Sequence, residues 1–157
     1  MPSMRPCLWF DTQGEEAAEF YTSVFPNSKI TKVLRYGPAG PRPEGTVMIV
    51  EFELDGQRFV ALNGGPEFTF DEAISVEVEC ASQEEVDHYW SALSEGGEEG
   101  PCGWLKDRFG LSWQIVPTAL YDLVQDPDPG RAERAMRAML QMKKIDVDAL
   151  YRAADTP

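Results

Sequence analysis

The fold is decided by one stretch, GPCGWLKDRFGLSWQIVP, at residues 100–117. Its pattern predicts a β-hairpin, with strands over Cys102–Leu105 and Leu111–Val116 joined by a turn over Lys106–Gly110. The second strand alternates: Leu111, Trp113 and Ile115 share one face, while Ser112, Gln114 and Val116 share the other. An apolar face of this size needs a covering layer, most simply helices. The polar face predicts either an edge strand facing solvent or a cavity that holds a ligand.

Composition and charge exclude several classes of function. The chain has 157 residues, of which 43% are hydrophobic, enough for one buried domain or two small repeated modules. It contains no long apolar run or apolar signal segment, so we expect a cytoplasmic protein with no membrane partner. A net charge of −13 argues against nucleic acid as a partner. Cys7, Cys80 and Cys102 lack zinc-site spacing, and we expect reduced, mostly buried thiols.

The predicted elements occur twice in the order β-α-β-β-β, which indicates an α+β fold. The first module, about residues 5–63, has strands over Cys7–Phe10, Ile30–Tyr36, Thr46–Leu54 and Gln57–Asn63, and a helix over Gln13–Phe25 capped by Asp11 or Thr12. The second, about residues 72–117, has a strand over Ala73–Cys80, a helix to Ser94 opened by the capping box Ser82 and Glu85, and the closing hairpin. One further strand is expected between Glu98 and Pro101, but the sequence there shows hardly any strand pattern.

Two connecting segments and an extension complete the chain. Gly37–Gly45, rich in proline and glycine, is predicted to be a loop and a candidate lid, and Gly64–Asp71 is a linker. We assign residues 1–117 to one domain and residues 118–157 to a helical extension. The extension should hold helices over Leu120–Val124 and Arg131–Met142, then a last turn or two capped by Asp146. The methionine-rich stripe of the longer helix predicts packing against the domain or a partner subunit.

Several blocks of the chain resemble the PhnB-like family of the glyoxalase/bleomycin-resistance/dioxygenase (vicinal oxygen chelate) superfamily. They are CGWLKDRFGLSWQIVP at 102–117, PCLWFD at 6–11, EFYTSVFPNS at 19–28, ALNGGP at 61–66, EAIS at 72–75 and MLQMKKID at 139–146. The resemblance implies paired β-α-β-β-β modules that form a curved mixed sheet with a concave cavity, and a homodimer. It leaves the activity open, because the superfamily spans isomerases, dioxygenases and binding proteins.

The metal site of many superfamily members is not expected here. By register, the resemblance places the four ligand positions near Arg5 or Cys7, and at Ala61, Ala73 and Gln114. These side chains do not form a set that holds a hard divalent ion, which prefers histidine nitrogens and carboxylates. We therefore predict no metal and no other cofactor.

Other catalytic machinery is also hard to find. The lone histidine, His88, lies within a predicted helix at the edge of its apolar stripe, where a structural or solvated side chain is expected. No P-loop, Gly-x-Gly-x-x-Gly turn or nucleophile elbow is present. Family members are often described as demethylubiquinone methyltransferase-like, but without a glycine-rich nucleotide turn we do not expect methyl transfer.

What remains is a ligand cavity on the concave face of the sheet. By register we predict that its ligand-binding residues are Cys7, Trp9, Asn63, Ser75, Trp104, Ser112 and Gln114, with Ala61 beside them. Two indoles, amides and hydroxyls suit a small flat or amphipathic molecule, although core packing is the alternative role for both tryptophans. Glu77 is a weak candidate general base: burial would raise the pKa of its carboxyl, whereas an exposed Glu77 would do nothing.

Three functions are compatible with these residues. The first is a protein that binds or sequesters a small molecule without a metal. The second is a superfamily lyase, isomerase or dioxygenase, which would need an ion held by an unforeseen set of ligands or acid–base work by Glu77. The third is an interaction module whose acidic surface meets a protein partner.

Overall fold

A computed structural model describes residues 1–157, which form two compact units, Met1–Phe70 and Asp71–Pro157. The boundary falls within the predicted linker. Each unit carries its own four-stranded mixed sheet, and the α+β fold with a repeated β-α-β-β-β order is confirmed.

The first unit is one sheet covered by one helix. Its elements are β1 (Cys7–Phe10), α1 (Gly14–Val24), β2 (Lys29–Arg35), β3 (Val47–Leu54) and β4 (Gln57–Asn63). The strand order is β1-β4-β3-β2, with β1 parallel to β4 and the other pairs antiparallel. Ala17 and Tyr21 of α1 are buried, as are Val50 and Phe52 of β3 and Ala61 of β4. Packing of these apolar side chains forms the core of the unit.

The second unit repeats this arrangement. Its first elements are β5 (Ser75–Cys80), α2 (Gln83–Ser94), β6 (Glu98–Glu99), β7 (Trp104–Lys106) and β8 (Ser112–Pro117), in the sheet order β5-β8-β7-β6. Ser82 caps α2 as predicted, since its Oγ accepts from the Glu85 N–H at 3.2 Å; the Glu85 carboxylate accepts from the N–H of Ala81, one residue before the cap, at 2.9 Å. The strand that the sequence hardly shows is β6, which consists of two exposed glutamates between glycines and therefore has no hydrophobic alternation.

The closing hairpin is held by the carboxylate of Asp107, only 3% exposed. Its Oδ1 accepts from the backbone N–H groups of Phe109 (2.8 Å) and Leu111 (3.1 Å), and its Oδ2 accepts from the Trp113 indole N–H (2.9 Å). Gly97 lies directly against this turn, because a Cβ at that position would come within 2.1 Å of the Lys106 carbonyl oxygen. The predicted apolar face of β8 is buried, since Trp113 and Ile115 are at most 1% exposed, as is Leu111 just before the strand. The opposite face is largely buried too, because Ser112 and Val116 are 1% and 5% exposed and only Gln114 is partly exposed.

The C-terminal extension packs within the second unit. It contains α3 (Thr118–Val124), α4 (Pro129–Met139) and α5 (Val147–Asp155), and Asp146 caps α5 as predicted by accepting from the Ala149 N–H at 3.0 Å. A buried cluster joins the extension to the end of β8; it consists of Val116, Leu120, Leu123, Ala135, Ile145, Leu150 and Ala154. None of the helices in the chain has both the length and the apolar character that crossing a membrane requires.

The predicted helix over Arg131–Met142 ends three residues early, at Met139. The chain then turns, and the carbonyl groups of Met142 and Lys143 accept from the N–H groups of Cys102 and Gly103, each at 2.8 Å. These two backbone hydrogen bonds fasten the extension to the segment just before β7. The predicted methionine-rich stripe consists of Met136, Met139, Leu140 and Met142, and its residues lie in two environments. Met139 and Met142 pack on the buried cluster, whereas Met136 and Leu140 are exposed.

Removing the Asp107 carboxylate should destabilise the second unit strongly. Asp107→Ala removes the acceptor of three hydrogen bonds, of which those from Leu111 and Trp113 are buried and that from Phe109 is partly buried, so we expect the free energy of unfolding to fall by about 3 kcal/mol or more. Asp107→Asn keeps one acceptor oxygen and should lose about half as much. Urea denaturation followed by tryptophan fluorescence measures both values. The matched control is Asp122→Ala, an exposed carboxylate on α3, and equal effects of the two alanine variants would refute this role of Asp107.

Candidate functional site

One face of the second sheet is polar. Strand register places Ser75 opposite Ser112, Glu77 opposite Gln114, Gln114 opposite Trp104, and Ser112 opposite Lys106. Directly paired residues project from the same side of a sheet, so these six side chains share one face. We call this the polar face. The other side carries Val76, Leu105, Trp113 and Ile115, the apolar residues toward which α2 presents its buried Val86, Trp90 and Leu93.

The polar face therefore brings together every site residue predicted in the second module: Ser75, Glu77, Trp104, Ser112 and Gln114. Gln114 Nε2 donates to Ser75 Oγ at 3.0 Å. Ser112 is 1% exposed, and its hydroxyl oxygen has no hydrogen-bond partner within the chain. A buried hydroxyl without a partner within the chain costs about 1–3 kcal/mol, so a hydrogen bond to a polar ligand atom there would be favourable.

A cavity of about 320 Å³ opens beside this hydroxyl. Its lining includes Glu72, Glu98, Trp104, Lys106 and Ser112. Lys106 forms an ion pair with Glu72, both partly exposed. The hydrogen bond from Lys106 lowers the pKa of the Glu72 carboxyl, and the same bond raises the pKa of Lys106. Lys106 was not among the predicted site residues, although its position two residues after Trp104 in a strand places it on the same face.

Glu77 is exposed on β5, an edge strand of its sheet, and accepts a hydrogen bond from the Tyr121 hydroxyl of α3. Glu77 is therefore not the buried carboxylate that a general base at this position would require. The hydrogen bond to Glu77, together with burial and the charges of Glu77 and Glu79, raises the pKa of Tyr121 to about 12. The extension thus places a phenol at one end of the polar face.

The site residues predicted in the first module do not share a face, and this expectation was wrong. Parallel pairing sets Cys7 opposite Val60, Trp9 opposite Leu62 and Phe10 opposite Asn63. Cys7 and Trp9 consequently lie on one side of the sheet, whereas Asn63 and Ala61 lie on the other. The latter side is the one that α1 covers, because Ala61 and the helix residue Gly14 are in contact.

Asn63 instead caps α1. Its Oδ1 accepts from the Gly14 N–H at 2.7 Å, its Nδ2 donates to the Val47 carbonyl at 3.1 Å, and its own carbonyl accepts from the Tyr36 hydroxyl at 2.6 Å. Gly14 permits this approach, since a Cβ there would lie 2.7 Å from Oδ1. The caps predicted at Asp11 or Thr12 are not used, and Gln13, the residue directly before α1, makes no capping bond with its side chain.

Trp9 is occupied by packing within its own unit. Its indole N–H donates to the Gly65 carbonyl at 2.9 Å, and its ring meets Phe68 edge-on with centroids 5.0 Å apart. Gly64 lies so close to the ring that a Cβ would approach it to 2.4 Å. Cys7 is exposed, contrary to the expectation of mostly buried thiols, while burial and the Glu85 charge raise the pKa of the buried Cys80 thiol to about 11.

A second cavity, of about 520 Å³, lies in the first unit. Its lining includes Arg42, Pro43 and Thr46, in or beside the candidate lid loop, and Glu15 and Glu16 at the start of α1. The loop is folded into turns, with the Gly45 N–H donating to the Tyr36 carbonyl at 2.9 Å. Arg42 reaches Asp11, with 3.5 Å between nitrogen and oxygen. The loop therefore borders a cavity, and whether it moves as a lid stays a prediction.

The residues of the chain do not fit a divalent metal ion. No three His, Cys, Asp or Glu side chains come together as a group that could hold one. Ala61 faces α1, so the register used to place that ligand position was wrong; its neighbours on the opposite face are Val60 and Leu62, which offer no donor atom. His88 is exposed on α2 and contacts the Tyr89 ring edge-on.

Two β-α-β-β-β units define a protein of the vicinal oxygen chelate class. A family model described as 3-demethylubiquinone-9 3-methyltransferase matches residues 2–116. The chain is 35% identical to the PhnB protein from Bacillus cereus, covering 74% of this chain and 99% of that one, with a TM-score of 0.65. The chain therefore belongs to the 3-demethylubiquinone-9 3-methyltransferase family, the PhnB-like branch of the vicinal oxygen chelate superfamily.

More distant similarities show the fold alone. A protein from Pseudomonas aeruginosa is 20% identical, with 74% and 98% of the two chains covered and a TM-score of 0.62. The fosfomycin resistance protein FosX from Listeria monocytogenes, solved with Mn(II) and sulfate, is 12% identical, with 74% and 89% covered and a TM-score of 0.52. No curated protein matches the chain. Residues 117–157, including the extension, lie outside the family match.

Asn63 should prove to be a structural residue. Asn63→Ala removes the buried cap of α1 and a partly buried hydrogen bond to Val47, so we expect a loss of about 2–3 kcal/mol in the free energy of unfolding. Gly14→Ala should also destabilise the unit, because its Cβ would collide with Asn63 Oδ1. Gln13→Ala is the matched control and should be nearly neutral. Urea denaturation compares the three variants, and a neutral Asn63→Ala would contradict the capping role.

The contact between Tyr121 and Glu77 predicts an unusual titration. Because the pKa of Tyr121 is raised above its ordinary value of 10.0, its hydrogen bond should stabilise the fold below pH 10 and be lost as the pH rises through about 12. Near-ultraviolet absorbance of the phenolate, compared between the wild type and Tyr121→Phe, isolates this group. Glu77→Gln should lower the pKa of Tyr121 more than Glu79→Gln does. A Tyr121 that titrates at its ordinary pKa would rule out the contact.

Proposed function

We propose that this protein binds and sequesters a small organic molecule on the polar face of its second sheet, without a metal ion. The observation that carries the proposal is the polar face itself. It combines a half-buried indole, Trp104, with the amide of Gln114 and the hydroxyl of Ser112, and Trp104 and Ser112 line a cavity of about 320 Å³. Ligand pockets commonly join an aromatic wall to a few polar groups that fix the orientation of the ligand.

The binding residues proposed in the second unit are Ser75, Trp104, Ser112 and Gln114. Ser75 acts through Gln114, because its hydroxyl accepts the amide hydrogen bond that orients that side chain. Cys7 and Trp9 stay secondary candidates, since Trp9 already packs on Gly64, Gly65 and Phe68. Asn63 is withdrawn from the proposed ligand site because its side chain is used within the first unit.

An enzymatic function has weaker support. Methyl transfer, which the family description names, would need a binding turn for a methyl-donor nucleotide, and the chain has no glycine-rich turn of that kind. Acid–base catalysis by Glu77 loses its physical basis, because Glu77 is exposed and carries a hydrogen bond from Tyr121. An interaction module remains the other alternative; such a protein would bind no small molecule at the polar face.

We also propose a cytoplasmic homodimer. None of Cys7, Cys80 and Cys102 forms a disulfide, which agrees with a reducing compartment. The extension offers exposed apolar side chains, Met136 and Leu140, one helical turn apart at the end of α4, as part of a subunit contact. Light scattering tests the assembly directly, and a molar mass of one chain would contradict the dimer.

A screen with fragments of all charge types tests the proposed binding site. We expect some fragments to shift backbone amide resonances of residues 104, 112 and 114, and Trp104→Leu to abolish those shifts while the protein stays folded. The matched control is Tyr151→Leu, which removes an exposed aromatic ring from α5. Failure of every fragment at millimolar concentration would contradict a small-molecule function and favour the interaction module.

A further inference from the structure

The chemical class of the ligand can be read from the cavity beside Ser112. This hydroxyl lies on the central strand β8, is 1% exposed, and has no hydrogen-bond partner. Its neighbour on β5, Ser75, forms its hydrogen bond with Gln114 Nε2 and none with Ser112. Ser112 lines the cavity, and a polar group that reached its hydroxyl would find a group able to donate or accept a hydrogen bond.

The charges around the cavity are mostly negative. Three carboxylates, Glu72, Glu98 and Glu99, line it, against one ammonium group, Lys106. The formal balance of these four groups is −2 (three negative charges and one positive). Lys106 is already neutralised by its ion pair with Glu72, and Glu99 accepts from the Trp90 indole N–H at 2.9 Å. Glu98 is exposed on β6, opposite Lys106 in the register, and so provides a carboxylate at the cavity rim.

Trp104 provides the apolar wall. It lines the same cavity, is half-buried, and lies on the polar face with Ser112. The face of an indole attracts cations and also stacks on flat apolar groups. The charged group of an anionic ligand would gain nothing from this ring and would be repelled by the carboxylates.

We infer that this cavity binds a small organic amine in its ammonium form, with its apolar part on Trp104, its ammonium group near Glu98, and a hydrogen bond at Ser112 Oγ. The inference rests on the proposed small-molecule function and names the class of ligand that the site selects. The competing arrangement is an anion that displaces Glu72 and pairs with Lys106. The two arrangements predict opposite charge preferences.

Three probes of nearly equal shape separate these possibilities: phenethylamine, phenethyl alcohol and phenylacetate. Affinities are measured by amide chemical-shift titration of the full chain at low ionic strength, where charge effects are least screened. We expect phenethylamine to bind about tenfold more tightly than phenylacetate, with the alcohol between them, as one favourable charge contact would give. Shifts should centre on residues 104 and 112.

Variants then assign the preference to named groups. Glu98→Gln should weaken phenethylamine several-fold without changing the affinity for phenethyl alcohol, whereas Glu19→Gln, an equal charge change on α1 of the first unit, should change neither. Ser112→Ala should weaken the amine and the alcohol, although it removes an unsatisfied buried group and should leave the protein at least as stable. Ser91→Ala on α2 is its matched control.

The outcomes distinguish this inference from the function on which it rests. Tighter binding of phenylacetate, or unchanged amine affinity in Glu98→Gln and Ser112→Ala, overturns the amine preference while leaving the small-molecule function standing. If none of the three probes binds but other fragments shift residues 104, 112 and 114, the amine assignment is again overturned alone. If no fragment of any charge binds, both proposals fail.

Discussion

The second unit depends on one buried carboxylate. Asp107 sits between β7 and β8, where it satisfies two backbone N–H groups of its own turn and the indole N–H of Trp113. These three hydrogen bonds fix both the turn and the side chain of Trp113, the largest in the core. Because Lys106 and Ser112 flank this turn as a register pair, the same constraint sets the spacing of two groups that line the cavity. Asp107 therefore positions residues of both the core and the polar face.

The extension adds a second constraint that the family match does not include. Its carbonyl groups at Met142 and Lys143 hold the backbone at Cys102 and Gly103, directly before Trp104. Tyr121 reaches Glu77 at the end of the polar face, and Leu120 and Leu123 cover Val116. The family match ends at residue 116, so this part of the polar face is shaped by residues outside it.

Much of the site could be predicted from the sequence because one strand carries a clear alternation. The pattern of Leu111 to Val116 placed Ser112 and Gln114 on the face opposite Trp113, and strand pairing then aligned Ser75, Glu77 and Trp104 with them. The first module has no strand with so clear an alternation at its predicted site. Its last strand, Gln57–Asn63, ends in a nearly continuous buried run, so its period does not reveal which side faces the helix, and Asn63 and Ala61 were assigned to the wrong face.

The amino-acid pattern by itself determined the repeated β-α-β-β-β order, the hairpin at residues 100–117 and the helical extension, because hydrophobic period, turn residues and helix caps are local signals. Tertiary structure alone decided three further features. Asn63 caps a helix 49 positions away in sequence, the Ser112 hydroxyl is buried without a partner in the chain, and the Tyr121 hydroxyl donates to Glu77. Each depends on the register or packing of distant segments, which no local pattern specifies.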